Sequence, residues 1–134
     1  YAVIEALSGG NNRFRNAFIV GLETGVVKIM QSVSRELKDI DDMVYKDFQS
    51  VRTGRVYQAE TVRHAATQQA LQQKYGTNFW GNSPRPSCFL SVAVSTCEKL
   101  TLVTHGRPLK DCRKIIEECK LTTRVLSLDE FSDI

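Results

Sequence analysis

Apolar side chains recur at Phe18, Leu22, Val26, Ile29, Val33, Leu37, Ile40, Val44, Phe48 and Val51, at spacings of 4, 4, 3, 4, 4, 3, 4, 4 and 3. Helical geometry brings residues so spaced to one side of the chain. The repeat is a hendecad, eleven residues in three turns. Its roughly 3.67 residues per turn lie close to the 3.6 of an ideal helix. The stripe therefore runs almost parallel to the axis and predicts straight or weakly right-handed packing, where a heptad would impose a left-handed supercoil. Ile19, Val27 and Met30 widen the stripe at its N-terminal end, while Arg35, Lys38, Asp39, Asp42 and Lys46 occupy the opposite face. One long amphipathic helix from Phe18 to Val51 is the expectation.

Residues 1–7 form a short apolar piece, helix or strand, cut off by Ser8-Gly9-Gly10. Asn11 and Asn12 then offer the side-chain oxygen that caps a helix N-terminus. Beyond Val51 the phase continues through Arg55, Ala59, Val62, Ala66 and Ala70. Gly54 interrupts it, and glycine inside a helix costs about 1 kcal/mol relative to alanine. Two readings are open: a hairpin turning at Gly54, or one helix from Arg13 to Tyr75, on the order of 95 Å long. The unbroken phase favours the single helix. Gly76 supplies its stop.

Residues 77–86 are loop by composition, and Phe79 and Trp80 within them read as anchors onto the chain's own core. After the loop the period changes. Leu90, Val92 and Val94 alternate with Ser91, Ala93 and Ser95, as in a half-buried strand. Residues 100–104 read as a second strand and 123–128 as a third, with a helix opening at Pro108 between them. Strand, helix and strand at this length allow a parallel crossover. A buried helix over 88–103 is the alternative, opposed by the β-branched content. The expected fold class is helix-dominated α+β: a long amphipathic helix or helical hairpin over 1–76, a loop over 77–86, then a small three-stranded sheet with one helix over 87–134.

Charge is nearly balanced, with 18 basic against 15 acidic residues and a net charge of +3, and it is mixed along the chain. A basic arm is absent, so nucleic-acid binding has a weak electrostatic footprint. No apolar run reaches the ~18–20 residues that cross a bilayer, so no membrane span is expected. Cys88, Cys97, Cys112 and Cys119 lack the C-x2–4-C spacing of structural zinc. They read either as buried free thiols or as two disulfides in an oxidising compartment. Cys112 and Cys119 lie too far apart along one helix to bridge each other.

Candidate chemistry is sparse. His105, Gly106 and Arg107, between a strand end and a helix start, form a possible anion-binding corner, since helix N-termini attract anions and a guanidinium grips oxyanions. Against that, a single glycine makes no phosphate loop, and neither dinucleotide nor P-loop motifs occur. Arg52, Arg55 and Arg63 are a possible nucleic-acid contact, although solvated surface is the commoner meaning of such a face. His64 has no second histidine at helical spacing for a metal site. Cys112, two residues after Lys110, has the best setting for a lowered thiol pKa, but its apolar face points to a core position. No nucleophile elbow or ordered triad signature is present.

These features point to a non-enzymatic structural or interaction protein without a metal or cofactor. It would self-associate or dock into a larger protein assembly along the ten-residue seam. A nucleic-acid-binding protein and a small anion- or nucleotide-binding regulatory domain are the alternatives.

Overall fold

The computed structural model describes residues 2–24, 26–51, 57–76 and 84–133. Gly54, Phe79 and Trp80 lie outside them. The described residues form eight helices and two two-stranded parallel sheets. They cluster into two compact units, 1–60 together with 128–134, and 61–127.

In the first unit, α1 (Ala2–Ser8) precedes α2 (Asn12–Glu23). Asn11 caps α2 as expected: its Oδ1 accepts the N–H groups of Arg13 and Phe14 at 3.0 and 3.3 Å. The long helix does not follow. Its stripe is cut twice into α2, β1 (Ile29–Met30) with α3 (Gln31–Ile40), and α4 (Asp42–Val51). The first cut comes where the Thr24 hydroxyl donates back to the Val20 carbonyl at 2.8 Å and the Val27 N–H returns to Gly21 O at 2.9 Å. The chain doubles back so closely that a Cβ on Gly21 would overlap the Val27 side chain. The second cut is at Asp41, which is extended (φ −149°, ψ 97°). Its Oδ1 accepts the Val44 N–H at 3.1 Å, so the carboxylate serves as the N-cap of the next helix instead of continuing the first.

β1 pairs in parallel with β2 (Tyr57–Gln58). Beyond β2, a Glu60 carboxylate oxygen accepts the Ser32 N–H at 2.8 Å, filling a vacancy in the first turn of α3. The core of this unit holds Val3, Ala6 and Leu7 from α1, Phe14, Phe18 and Leu22 from α2, and Ile29, Leu37, Val44 and Phe48. Phe48 meets Tyr57 edge to face, with ring centroids 6.3 Å apart. Arg15 grips Asp47 with two hydrogen bonds of 2.7 and 3.1 Å and donates to the Leu7 carbonyl at 3.1 Å, joining α1, α2 and α4. The far end of the chain returns here: α8 (Leu128–Ser132) packs on α2, and Arg13 reaches Asp129 at 2.7 Å and Asp133 at 2.6 Å.

The second unit contains α5 (Val62–Tyr75), α6 (Pro86–Glu98), β3 (Leu102–Thr104), α7 (Arg107–Glu118) and β4 (Val125–Ser127). β3 and β4 pair in parallel around α7, in the crossover that the sequence suggests. Residues 88–95 are not the first of the three expected strands; they belong to α6. Their alternation misleads because Cys88, Phe89, Val92, Ala93, Val94 and Ser95 are all buried, and a helix apolar on most sides carries no readable period. The deciding signals are local. Pro86 stands in the first turn, and Lys99 closes the helix in the left-handed region (φ 55°). The Leu100 N–H then bonds back to Ser95 O at 2.8 Å. α7 ends the same way, with Lys120 at φ 54° and the Leu121 N–H on Ile116 O at 2.9 Å. Leu71, Phe89, Val92, Ile115 and the three buried cysteines share the core between α5, α6 and α7.

Candidate functional site

The ten seam residues do not form a surface stripe. Phe18, Leu22, Ile29, Leu37, Val44 and Phe48 are buried inside the first unit, and Val33 is half-buried. Val26 and Ile40 are exposed, at 76 % and 68 %. The side chain of Val51 lies outside the described residues. Interruptions of the helix after Glu23 and at Asp41 thus divide the stripe, and most of it becomes core.

Of the arginine face, Arg52 and Arg55 lie outside the described residues, and Arg63 is exposed on the first turn of α5. His105, Gly106 and Arg107 do fall together at the corner between β3 and α7. Gly106 has φ 68°, a conformation that favours glycine, and α7 begins there without a side-chain cap. Arg107 turns along its own helix toward Asp111, with Nε 3.9 Å from Oδ2, and His105 is half-buried. A guanidinium directed at Asp111 leaves this corner a weaker anion grip than the sequence suggests.

Two buried constellations escape the sequence reading. The first is His64, which is fully buried where α5 meets α6. The Thr61 N–H donates to its Nδ1 at 3.1 Å, and the Thr61 hydroxyl accepts the His64 N–H at 3.4 Å, a reciprocal capping box. Because Nδ1 accepts, Nε2 carries the proton and donates it to Glu98 at 2.7 Å. Both ring nitrogens are thus hydrogen-bonded, and the pair ties α5 to α6. Beside it, Thr67 Oγ1 and Cys97 Sγ are 3.3 Å apart. Threonine before a helix, with histidine three residues on, is the signal that could have revealed the cap.

The second constellation is the thiol pair Cys88 and Cys112, one from α6 and one from α7, which hydrogen-bond to each other in the core. The bond from Cys112 pulls Cys88 below the ordinary thiol range, against the opposing effect of burial. Cys112 is pushed far above that range, first by its bond to Cys88 and then by burial. The favourable thiolate is therefore Cys88, not Cys112 as the nearby Lys110 suggested. Cys119 donates to the Leu71 carbonyl at 3.6 Å and is pushed up chiefly by burial.

An open groove of about 310 Å³ lies between the end of α7 and β4. Ile116, Leu121 and Val125 form its apolar lining, with Arg113, Glu117 and Lys120 supplying charge. Among the described residues, no group of three or more histidine, cysteine or carboxylate side chains could hold a metal ion, and no helix is long and apolar enough to cross a membrane. The chain matches no protein-family model, no curated protein and no solved structure.

Proposed function

We propose that this protein is a non-enzymatic interaction protein that associates with a second copy of itself through its first unit. The observation that carries the reading is the corner between α3 and α4. Ile40 and Met43 stand on either side of Asp41-Asp42, exposed at 68 % and 82 %, while Leu37, Val44 and Phe48 of the same two helices are buried. Two large aliphatic side chains beside one tight corner favour contact with another apolar surface. The surrounding charges are of both signs: Lys38 and Asp39 on α3, and Asp42 and Lys46 on α4, the last two paired at 3.1 Å. A two-fold contact requires a surface that complements itself, and a patch offering both charges can do so.

Light scattering on the purified chain across a concentration series tests this. The expected result is a dimer of fixed stoichiometry that dissociates on dilution. An Ile40→Asp/Met43→Asp double variant should remain monomeric with an unchanged circular-dichroism spectrum. A wild-type chain that is monomeric at every concentration overturns the reading.

A further inference from the structure

The core of the second unit contains a sulfur pair. Cys88 lies on the first turn of α6 and Cys112 on α7, and the two helices pack directly together. Both side chains are buried, at 4 % and 2 % exposure, and their sulfurs are hydrogen-bonded. We propose that Cys88 and Cys112 are an oxidation site: they close to an intramolecular disulfide by exchange with a low-molecular-weight disulfide such as oxidised glutathione, cross-linking α6 to α7.

The position of Cys88 in the first turn of α6 assigns it the first attack. Cys88 occupies a helix N-terminus, has Arg85 nearby and accepts a hydrogen bond from Cys112. Each of these favours the thiolate, which is the nucleophile in exchange. Burial and Asp111 oppose the thiolate at both sulfurs, but Cys112 lies inside α7 and lacks the helix N-terminus that Cys88 has. In the first step the Cys88 thiolate attacks one sulfur of oxidised glutathione. The S–S bond breaks, one glutathione leaves as a thiolate, and it takes up the proton that Cys88 gave up. In the second step Cys112 loses its proton to solvent and attacks the Cys88 sulfur. The mixed disulfide breaks and the second glutathione leaves and is protonated. Two protein thiols are oxidised and one small disulfide is reduced to two thiols. Since both sulfurs are shielded, the rate follows local opening of the α6–α7 contact and exchange is slow. The other cysteines lack this setting. Cys119 donates to a backbone carbonyl, and Cys97 contacts Thr67.

The experiment uses the full chain, folded, incubated with oxidised glutathione and then quenched with acid. The number of free thiols measured in denaturant should fall from four to two. Peptide mapping without reductant should show the Cys88 and Cys112 peptides joined. The melting temperature should rise and return to its starting value on reduction. The Cys97→Ser variant, altered away from the pair, should fall from three free thiols to one. Retention of four thiols, a stable glutathione adduct on Cys88, or a bridge through Cys97 or Cys119 would each overturn the proposal.

Discussion

His64 Nε2 stands 2.7 Å from Glu98 Oε1, and the imidazole has no exposed surface while the carboxylate reaches solvent. Each end of the ring is thereby satisfied, one by the Thr61 N–H and the other by Glu98. Removing the acceptor strands a buried N–H, which costs about 1–3 kcal/mol. Glu98→Ala should lose stability in that range by urea denaturation, while Glu98→Gln, which keeps an amide oxygen in place, should lose much less. Equal effects from the two substitutions would mean that the hydrogen bond is not what matters at Glu98.

The Arg15–Asp47 pair makes the first unit acid-sensitive. The hydrogen bond from Arg15, reinforced by its charge, holds the Asp47 carboxyl below its ordinary range despite some opposing burial. A carboxyl depressed in the folded state adds stability above its unfolded pKa and loses it as pH falls through the folded value. Asp47→Asn should therefore be less stable than wild type at pH 7, and the gap should narrow steadily below about pH 4. A gap that stays constant from pH 7 to pH 2.5 would contradict the pairing.

Both Lys99 and Lys120 hold a left-handed conformation that glycine adopts without strain. For residues with a Cβ, that conformation costs on the order of 1 kcal/mol. Lys120→Gly should raise the melting temperature of the second unit, offset in part by the greater freedom of glycine in the unfolded chain. Lys120→Val, with a branched side chain at φ 54°, should lower it. Melting curves of the two variants should fall on opposite sides of wild type.

Three neighbours on α3 distinguish the folded stripe from a continuous one. Leu37 is 4 % exposed, Ile40 is 68 % exposed and Lys38 faces solvent. Leu37→Asp should cost several kcal/mol, roughly 3–5, by burying an unpaired charge. Lys38→Asp and Ile40→Asp should each change the stability of the monomer by about 0.5 kcal/mol or less. Chemical denaturation at low protein concentration checks all three. An Ile40→Asp loss as large as that of Leu37→Asp would restore the uninterrupted seam.

The stripe itself was readable, and six of its nine described side chains are buried. Its interruptions were not, because periodicity reports which residues face inward and not whether the backbone between them stays helical. Asp41 shows the difficulty: on an apolar-period plot it is one more polar residue, yet its carboxylate caps α4. Asn11 could be read because glycines stand before it and an apolar run follows. The parallel pairing of β3 and β4 was foreseen as a crossover, since Gly106 and Pro108 mark where the intervening helix begins. α6 stood only as the alternative to a strand, because its buried face is too wide to have a period. The His64–Glu98 and Cys88–Cys112 pairs join residues distant in sequence, and a single chain carries no signal for such meetings beyond the capping motif at Thr61.

Because α8 packs against α2 while the second unit occupies the chain between them, synthesis and assembly run in different orders. On a ribosome, residues 61–127 emerge whole before Leu128 appears, so the second unit can acquire its complete core while the first still lacks a wall. Arg13 must wait for Asp129 and Asp133, which emerge more than a hundred residues later. At ordinary elongation rates that delay is on the order of seconds, long compared with the folding of small helical units. For that interval α2 stands without the helix that finally packs against it.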